Sequence, residues 1–295
     1  MARALRIRLV IGAAAVGLIA MALLGAAELP SAAGGSGGKH RHGARKVWPR
    51  TDYPPRRAIR RAQSYAAAWG DVSFAVIGSS VGLRGYDVDR PYSSASVSKA
   101  LLLAAELRRL QREHLRLDPA TKSLLEPMIT YSDNRAADAI YARVGDGGLA
   151  EVARRAGMES FQAIPGFWGG DEVTAADLAR FFYRLDANLV GPHRAYAKRL
   201  LARITPVERW GIPRAIGRGW SIWFKGGWRP AGQEHTSGAV THQAALLVHR
   251  NGGRLGLAVL SEEPPGTGAG FDAIEGVAAR LLATPPPHRG GWIAP

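Results

Sequence analysis

Ser96 and Lys99 stand three residues apart, where the small polar run Tyr92–Ser98 meets the helix-forming run Lys99–Leu110. Ser96 falls at or just inside the helix N-terminus. One turn separates the two side chains, so they share a face and a hydroxyl is set beside an amine. A serine alone is a poor nucleophile; a neighbouring base that takes its proton makes it a good one. Lysine can be that base once burial or a nearby cation lowers its pKa. A helix N-terminus adds backbone N–H groups for a developing oxyanion. The chemistry implied is acyl transfer to Ser96. Standing alone the pair is a weak signal, because an N-cap serine followed by a solvated lysine reads the same way.

Two more polar clusters follow. Tyr131-Ser132-Asp133-Asn134 sits between the apolar run Leu124–Thr130 and a helix predicted over Arg135–Val144. By itself it also reads as a capping loop. A strand over Gly219–Phe224 leads into Lys225-Gly226-Gly227-Trp228 as its edge.

The elements that must position these clusters are legible in order. Helical periodicity covers Arg57–Trp69, and strands are predicted over Val72–Gly78 and Val81–Asp87. Ala100–Ala105 is almost wholly apolar, which puts the helix after Ser96 in the middle of the fold. Leu149–Ala156 is a helix ended by Gly157, Ala163–Asp171 is loop, and Thr174 caps a helix over Ala175–Leu185. A further helix spans Ala195–Ile204. Strands His242–Arg250 and Leu255–Ser261 are joined by the turn Asn251-Gly252-Gly253, and helix Gly270–Ala283 follows.

Ser96-x-x-Lys99, Ser132-Asp133-Asn134 and Lys225-Gly226-Gly227, in that order, resemble the three motifs of the penicillin-recognising serine enzymes, the class A β-lactamase-like family in particular. The resemblance covers roughly Arg57 to Ala283. It implies an α/β (α+β) β-lactamase/transpeptidase-like fold: an antiparallel sheet flanked by helices, with an all-α subdomain. It also implies roles. Ser96 would be the acylated nucleophile and Lys99 its base or proton relay. Ser132 would hand a proton to the leaving nitrogen. Asn134 would hold the substrate's side-chain amide, and Lys225 would help to seat its carboxylate. Gly227 and Trp228 would line the substrate site, with the backbone N–H groups of Ser96 and Trp228 as oxyanion hole.

Two departures bear on function. The middle of the third motif, usually Thr or Ser in the family, is Gly226, which removes a hydroxyl from carboxylate binding. The loop region Met158–Thr174 is short and lacks the Glu-x-x-x-Asn that activates a deacylating water. Glu159, Asp171 and Glu172 are nearby carboxylates with no role assigned to them. Trp210, Trp220, Trp223 and Trp228 are expected along the cleft or in its wall. His235 and His242 read as strand-end residues, and His242 and His249 have no ligand spacing.

The 295-residue chain has 46% apolar residues, enough for a substantial core, and no cysteine, which excludes disulfides, thiolate catalysis and a lipidated cysteine. Its formal charge of +15 lies partly in the N-terminal region and suits an anionic wall polymer or membrane surface. No nucleic-acid motif accompanies it, and none is expected as partner. Residues 1–33 read as a signal peptide or N-terminal membrane anchor, with Arg3, Arg6 and Arg8 ahead of an apolar run. Residues 34–56 read as a flexible basic linker, in which His40 and His42 are solvated. Residues 57–284 form the hydrolase domain and 285–295 a loose tail. The expectation is a monomeric enzyme outside the cytoplasm. It would act on a β-lactam or a peptidoglycan-derived peptide, with no metal or organic cofactor. The alternatives are a D,D-peptidase or slow-deacylating penicillin-binding protein, and a non-catalytic wall-binding module of the same fold.

Overall fold

The computed structural model describes residues 53–78, 82–232, 238–262 and 267–283. The predicted export segment, most of the linker, the tail, His40, His42 and His235 lie outside the described residues.

Nine helices and seven strands are described: α1 Arg56–Trp69, β1 Val72–Gly78, β2 Arg84–Tyr86, β3 Tyr92–Ser93, α2 Lys99–Arg112, α3 Pro119–Thr130, α4 Asn134–Ala156, β4 Glu172–Val173, α5 Ala175–Tyr183, α6 Leu185–Asn188, α7 Arg194–Ala202, α8 Ile212–Ala215, β5 Trp220–Arg229, β6 Val240–His249, β7 Arg254–Glu262 and α9 Thr267–Leu282. One antiparallel sheet has the order β2-β1-β7-β6-β5, and β3 pairs with β4 in a separate two-stranded ribbon. The helix, hairpin, helical insertion, three strands and final helix come in the expected order.

Strands β6 and β7 are buried almost throughout, because helices cover both faces of the sheet. On β6, Thr241 and Gln243 face α9 and the Trp210 turn, while His242 faces β3. Lys225 is in register with Ala244, Gly226 with Gln243 and Gly227 with His242. Side chains alternate along a strand, so Lys225 and Gly227 look to the β3 side and Gly226 looks the other way.

Helix α2 is the pillar of the all-α part. Leu101, Leu102, Leu103 and Leu107 are fully buried, and α2 packs on α4 and α3. Full burial of a leucine is worth about 1.5–3 kcal/mol, so this helix is held by packing on every side. Asp118 caps α3 through the Thr121 N–H, with Pro119 at its first position. That helix starts well before the predicted apolar run at Leu124. Helix α4 breaks at Gly145 (φ 59°), so the two predicted helices are two arms joined by a kink, and Gly157 (φ 72°) ends the second. Thr174 and Asp177 form a capping box on α5.

Two expectations need correcting. Of the expected strand Val81–Asp87, Val81 lies outside the described residues, and over 82–87 the pairing of β2 is confined to Arg84–Tyr86. Strand β5 does not end in a Lys-Gly-Gly edge but runs on through Arg229, because both glycines fill close contacts rather than a turn.

Candidate active site

Ser96 lies in a 3₁₀ turn, Ala95–Ser98, one step ahead of α2. Ala95 adopts φ 47°, a left-handed conformation that costs a non-glycine residue energy and persists only where surroundings hold it. The surroundings are specific. The Ala95 N–H donates to Gly169 O at 2.9 Å and the Ser94 N–H to Asp171 O at 2.8 Å. Ser98 Oγ donates to Ala95 O at 2.7 Å and Ser94 Oγ to Trp168 O at 3.2 Å. The nucleophile turn is thus tied to the 163–171 loop. It also meets β5: a Cβ on Gly227 would fall 2.6 Å from the Ser96 nitrogen, so only glycine fits.

Lys99 is fully buried, and its Nζ has four oxygens within reach: Ser96 Oγ at 2.9 Å, Ser132 O at 2.6 Å, Ser132 Oγ at 3.2 Å and Asn134 Oδ1 at 2.6 Å. Burial, reinforced by the positive charge of Lys225, lowers its pKa to about 7. A neutral amine keeps two N–H donors and one lone pair. The two short contacts take the donors, which leaves the lone pair for the Ser96 hydroxyl. The Asn134 oxygen is therefore engaged by Lys99, and its amide nitrogen is the end left to a substrate.

Ser132 has φ 60°, held by the Asp133 N–H on Pro127 O at 3.1 Å and by its own carbonyl on Lys99. Asp133 caps α4 through the Ala136 N–H. Ser132 Oγ lies between Lys225 Nζ at 3.0 Å and Lys99 Nζ at 3.2 Å. Accepting from Lys225, it keeps its own proton free to turn toward the cleft. Lys225 is fully buried, also donates to Gly226 O at 2.7 Å, and is lowered to about 8 by burial.

Ser96, Lys99, Ser132, Asn134 and Lys225 are thus brought together, with Gly227 against them. Ser96, Ser132, Asn134 and Trp228 line an open cleft of about 320 Å³ with Ala95, Tyr131, Trp168, Gly169, Glu208, Arg229 and Pro230. Trp228 is 45% exposed there. The other three expected tryptophans do not line it, although Trp210 packs behind its wall against Gly226. Trp210 is buried and stacked on Phe271, Trp220 packs on His249 and Tyr53 at the far end of β5, and Trp223 lies under Lys198. His242 is no strand-end residue: it is the third residue of β6, fully buried, with Nε2 on Ser93 O at 2.9 Å. Burial lowers its pKa to about 4, which keeps the ring neutral.

Trp168, Tyr131 and Glu208 are among the cleft residues that were not anticipated. Trp168 donates its Nε1–H to Asp138 at 2.8 Å and sets its ring 5.0 Å from Lys99 Nζ. The Phe167-Trp168 pair among the glycines of the loop was the available signal. Tyr131, 69% exposed at the mouth, and Glu208 carried none.

The loop carboxylates are not among the residues that line the cleft. Asp171 is fully buried and accepts from the Ile164 N–H at 3.0 Å; burial raises its pKa to about 7. Glu172 pairs through its backbone with Gln162, and Glu159 pairs with Arg180. Among the described residues no group of three or more His, Asp or Glu could hold a metal ion, and no helix is long and apolar enough to cross a membrane.

Comparison with known proteins gives the family and the fold. A family profile described as "Beta-lactamase enzyme family" matches residues 118–284, a span that holds Ser132, Asn134 and Lys225. Among curated protein sequences none matches. Among solved structures, PBP-A superposes with TM-score 0.65 at 19% identity, covering 77% of this chain and 94% of that one. A β-lactamase from Sphaerobacter thermophilus gives 0.65 at 20% identity, over 78% and 98%. A class A β-lactamase representative from Bacteroides cellulosilyticus gives 0.68 at 15% identity, over 79% and 98%.

Proposed function

The chain belongs to the beta-lactamase enzyme family, and from that premise we propose that it is a serine hydrolase in which Ser96 is acylated by a β-lactam or a related amide and then released by water. The observation that carries this reading is Lys99 Nζ, 2.9 Å from Ser96 Oγ, with a pKa lowered to about 7. Neutral Lys99 takes the Ser96 proton as Oγ attacks the carbonyl carbon. The N–H groups of Ser96 and Trp228 serve the oxyanion. The proton then passes from Lys99 to Ser132 Oγ, and Ser132 gives its own to the leaving nitrogen as the C–N bond breaks. The amide nitrogen of Asn134 holds the substrate's acyl side chain, and Lys225 keeps the site positive. A structural neighbour, a point variant of PBP-A, is described as an acyl-enzyme complex with penicillin-G, which supports the choice of probe.

Deacylation favours a second reading within the same chemistry. None of Asp171, Glu172 and Glu159 is among the residues that line the cleft, which supports a site with no loop carboxylate to activate water. A D,D-peptidase or a slow-deacylating penicillin-binding protein would have this arrangement. The basic, apolar segment 1–33 supports export, with action at the outer face of the membrane as a monomer.

The test is the intact mass of the protein after mixing with benzylpenicillin, with drug loss followed in the same tube and Ser96→Ala as control. A long-lived adduct on the wild type alone assigns the slow-deacylating reading. Ser96-dependent drug loss with little adduct assigns a β-lactamase. Neither adduct nor loss rejects β-lactam chemistry and leaves another acyl substrate or a non-catalytic module.

A further inference from the structure

Glu208 is the one carboxylate among the described residues that line the cleft. Its place is set from two sides. Glu208 ends a 3₁₀ turn, Pro206–Glu208, and Thr205 before it donates through both N–H and Oγ1 to Thr130 O, each at 3.0 Å. Thr130 is two residues from Ser132. On the other side, Trp210 lies against Gly226, next to Lys225. Glu208 therefore stands at the Ser132–Lys225 end of the cleft. Arg229 stands at the opposite end, with its guanidinium on Ser93 Oγ at 2.5 Å and over the Phe167 ring. Among the described residues no ion pair joins Glu208 to a cation.

The leaving atom must come to Ser132 Oγ to receive its proton, so the leaving group lies over this same end. We propose that Glu208 selects substrates by the charge of that leaving group, favouring a neutral or cationic group and disfavouring a carboxylate. The proposal rests on the acylation of Ser96 argued above. Two features support it. The Glu208 charge opposes the burial that lowers Lys225 and Lys99, so the lysines already have a counter-charge before substrate arrives. Gly226 offers no hydroxyl to a carboxylate, and Trp210 fills the space where one would stand.

The step that reports on this is acylation. The Ser96 Oγ–C bond forms, the bond to the leaving atom breaks, and the proton moves from Ser96 through Lys99 and Ser132 to that atom. Two phenylacetylglycyl thioesters test it, one of mercaptoacetate, with an anionic leaving group, and one of thiocholine, with a permanently cationic one that has no nucleophilic nitrogen. Both deposit the same acyl group, so deacylation is common to them and kcat/KM isolates the leaving group. Dividing the cationic-to-anionic ratio of the wild type by that of Glu208→Gln cancels intrinsic reactivity. The expected quotient is roughly three- to tenfold above one, larger with Glu208→Lys, and it shrinks at high salt. An unchanged ratio overturns the proposal. So does an equal fall in kcat for both thioesters, which would make Glu208 a group acting on the acyl-enzyme. If the variants do not fold, the salt dependence of the wild-type ratio decides: a flat ratio overturns the proposal. No Ser96-dependent thiol release from either compound overturns it together with acyl transfer. Turnover of the thioesters with the expected quotient but no reaction with benzylpenicillin or with a β-lactam that has no carboxylate on its leaving-nitrogen side overturns the β-lactam reading alone.

Discussion

The indole edge of Trp210 stands 2.8 Å from where a Cβ on Gly226 would be. Trp210 is buried, stacked on Phe271, and its carbonyl accepts from Gln243 Nε2 at 2.9 Å, so it has no room to yield. Restoring a hydroxyl with Gly226→Ser is therefore expected to destabilise the protein by about 1–3 kcal/mol instead of improving substrate binding. Thermal melting and acylation rate together check this. A Gly226→Ser variant that melts like the wild type would show that Trp210 moves freely.

Lys99 must lose a proton to act and Lys225 is needed positive, so acylation should follow a narrow bell. The rate rises as Lys99 deprotonates through about pH 7 and falls as Lys225 deprotonates through about pH 8. The two lysines titrate as a pair, so the limbs belong to both. Stability has its own sign. Both lysines lose protons in the folded state well below their ordinary value of 10.5, so the unfolded chain binds more protons in between and stability climbs from about pH 7 toward 10. Lys99→Met should lower kcat/KM about 10²–10⁴-fold and remove the acid limb. A limb that survives in Lys99→Met would place the titration elsewhere.

Gly227→Ala is expected to push the Ser96 turn off β5, because the new methyl would meet backbone nitrogen, which has no rotamer to change. A displacement of about 1 Å there costs on the order of 10²-fold in acylation. Intact-mass kinetics with a folded variant measures it directly.

Asp171 points one oxygen at the Ile164 N–H, while its other buried oxygen has no hydrogen-bond partner. Its raised pKa means that the folded state holds a proton which the unfolded chain releases near 4, so its contribution to stability falls as pH rises toward 7 and beyond. Asp171→Asn should add about 1–3 kcal/mol at pH 8 and little at pH 4. Denaturation midpoints at the two pH values test this, and an equal effect at both would reject it.

The residues that were legible in the sequence are those whose partners lie close along the chain. Ser96 and Lys99 are one turn apart, and Asn134 and Asp133 sit at a helix start, so local geometry alone places them. Lys225 could be placed only through the resemblance, because its partner Ser132 is 93 residues away. Glu208 and Tyr131 were invisible for the same reason: their presence in the cleft depends on how a short turn and a helix end dock. The four tryptophans show the limit most clearly. Alternation puts Trp223 on the opposite face from Trp220 and Trp228, but those two differ only in how far along β5 they stand. Only packing shows which position meets the cleft. The early start of α3 was in principle readable from Asp118-Pro119.

The tie between the nucleophile turn and the 163–171 loop carries one more implication. Ser96 is not part of the five-stranded sheet: its turn packs on β5 at Gly227, but it follows the short β3–β4 ribbon and its main-chain hydrogen bonds run to Gly169 and Asp171. Such a unit can open while the sheet and α2 stay intact. Heat inactivation should therefore begin below the melting temperature, and brief cooling should recover the lost activity, because only the anchoring of the reactive serine has been shed.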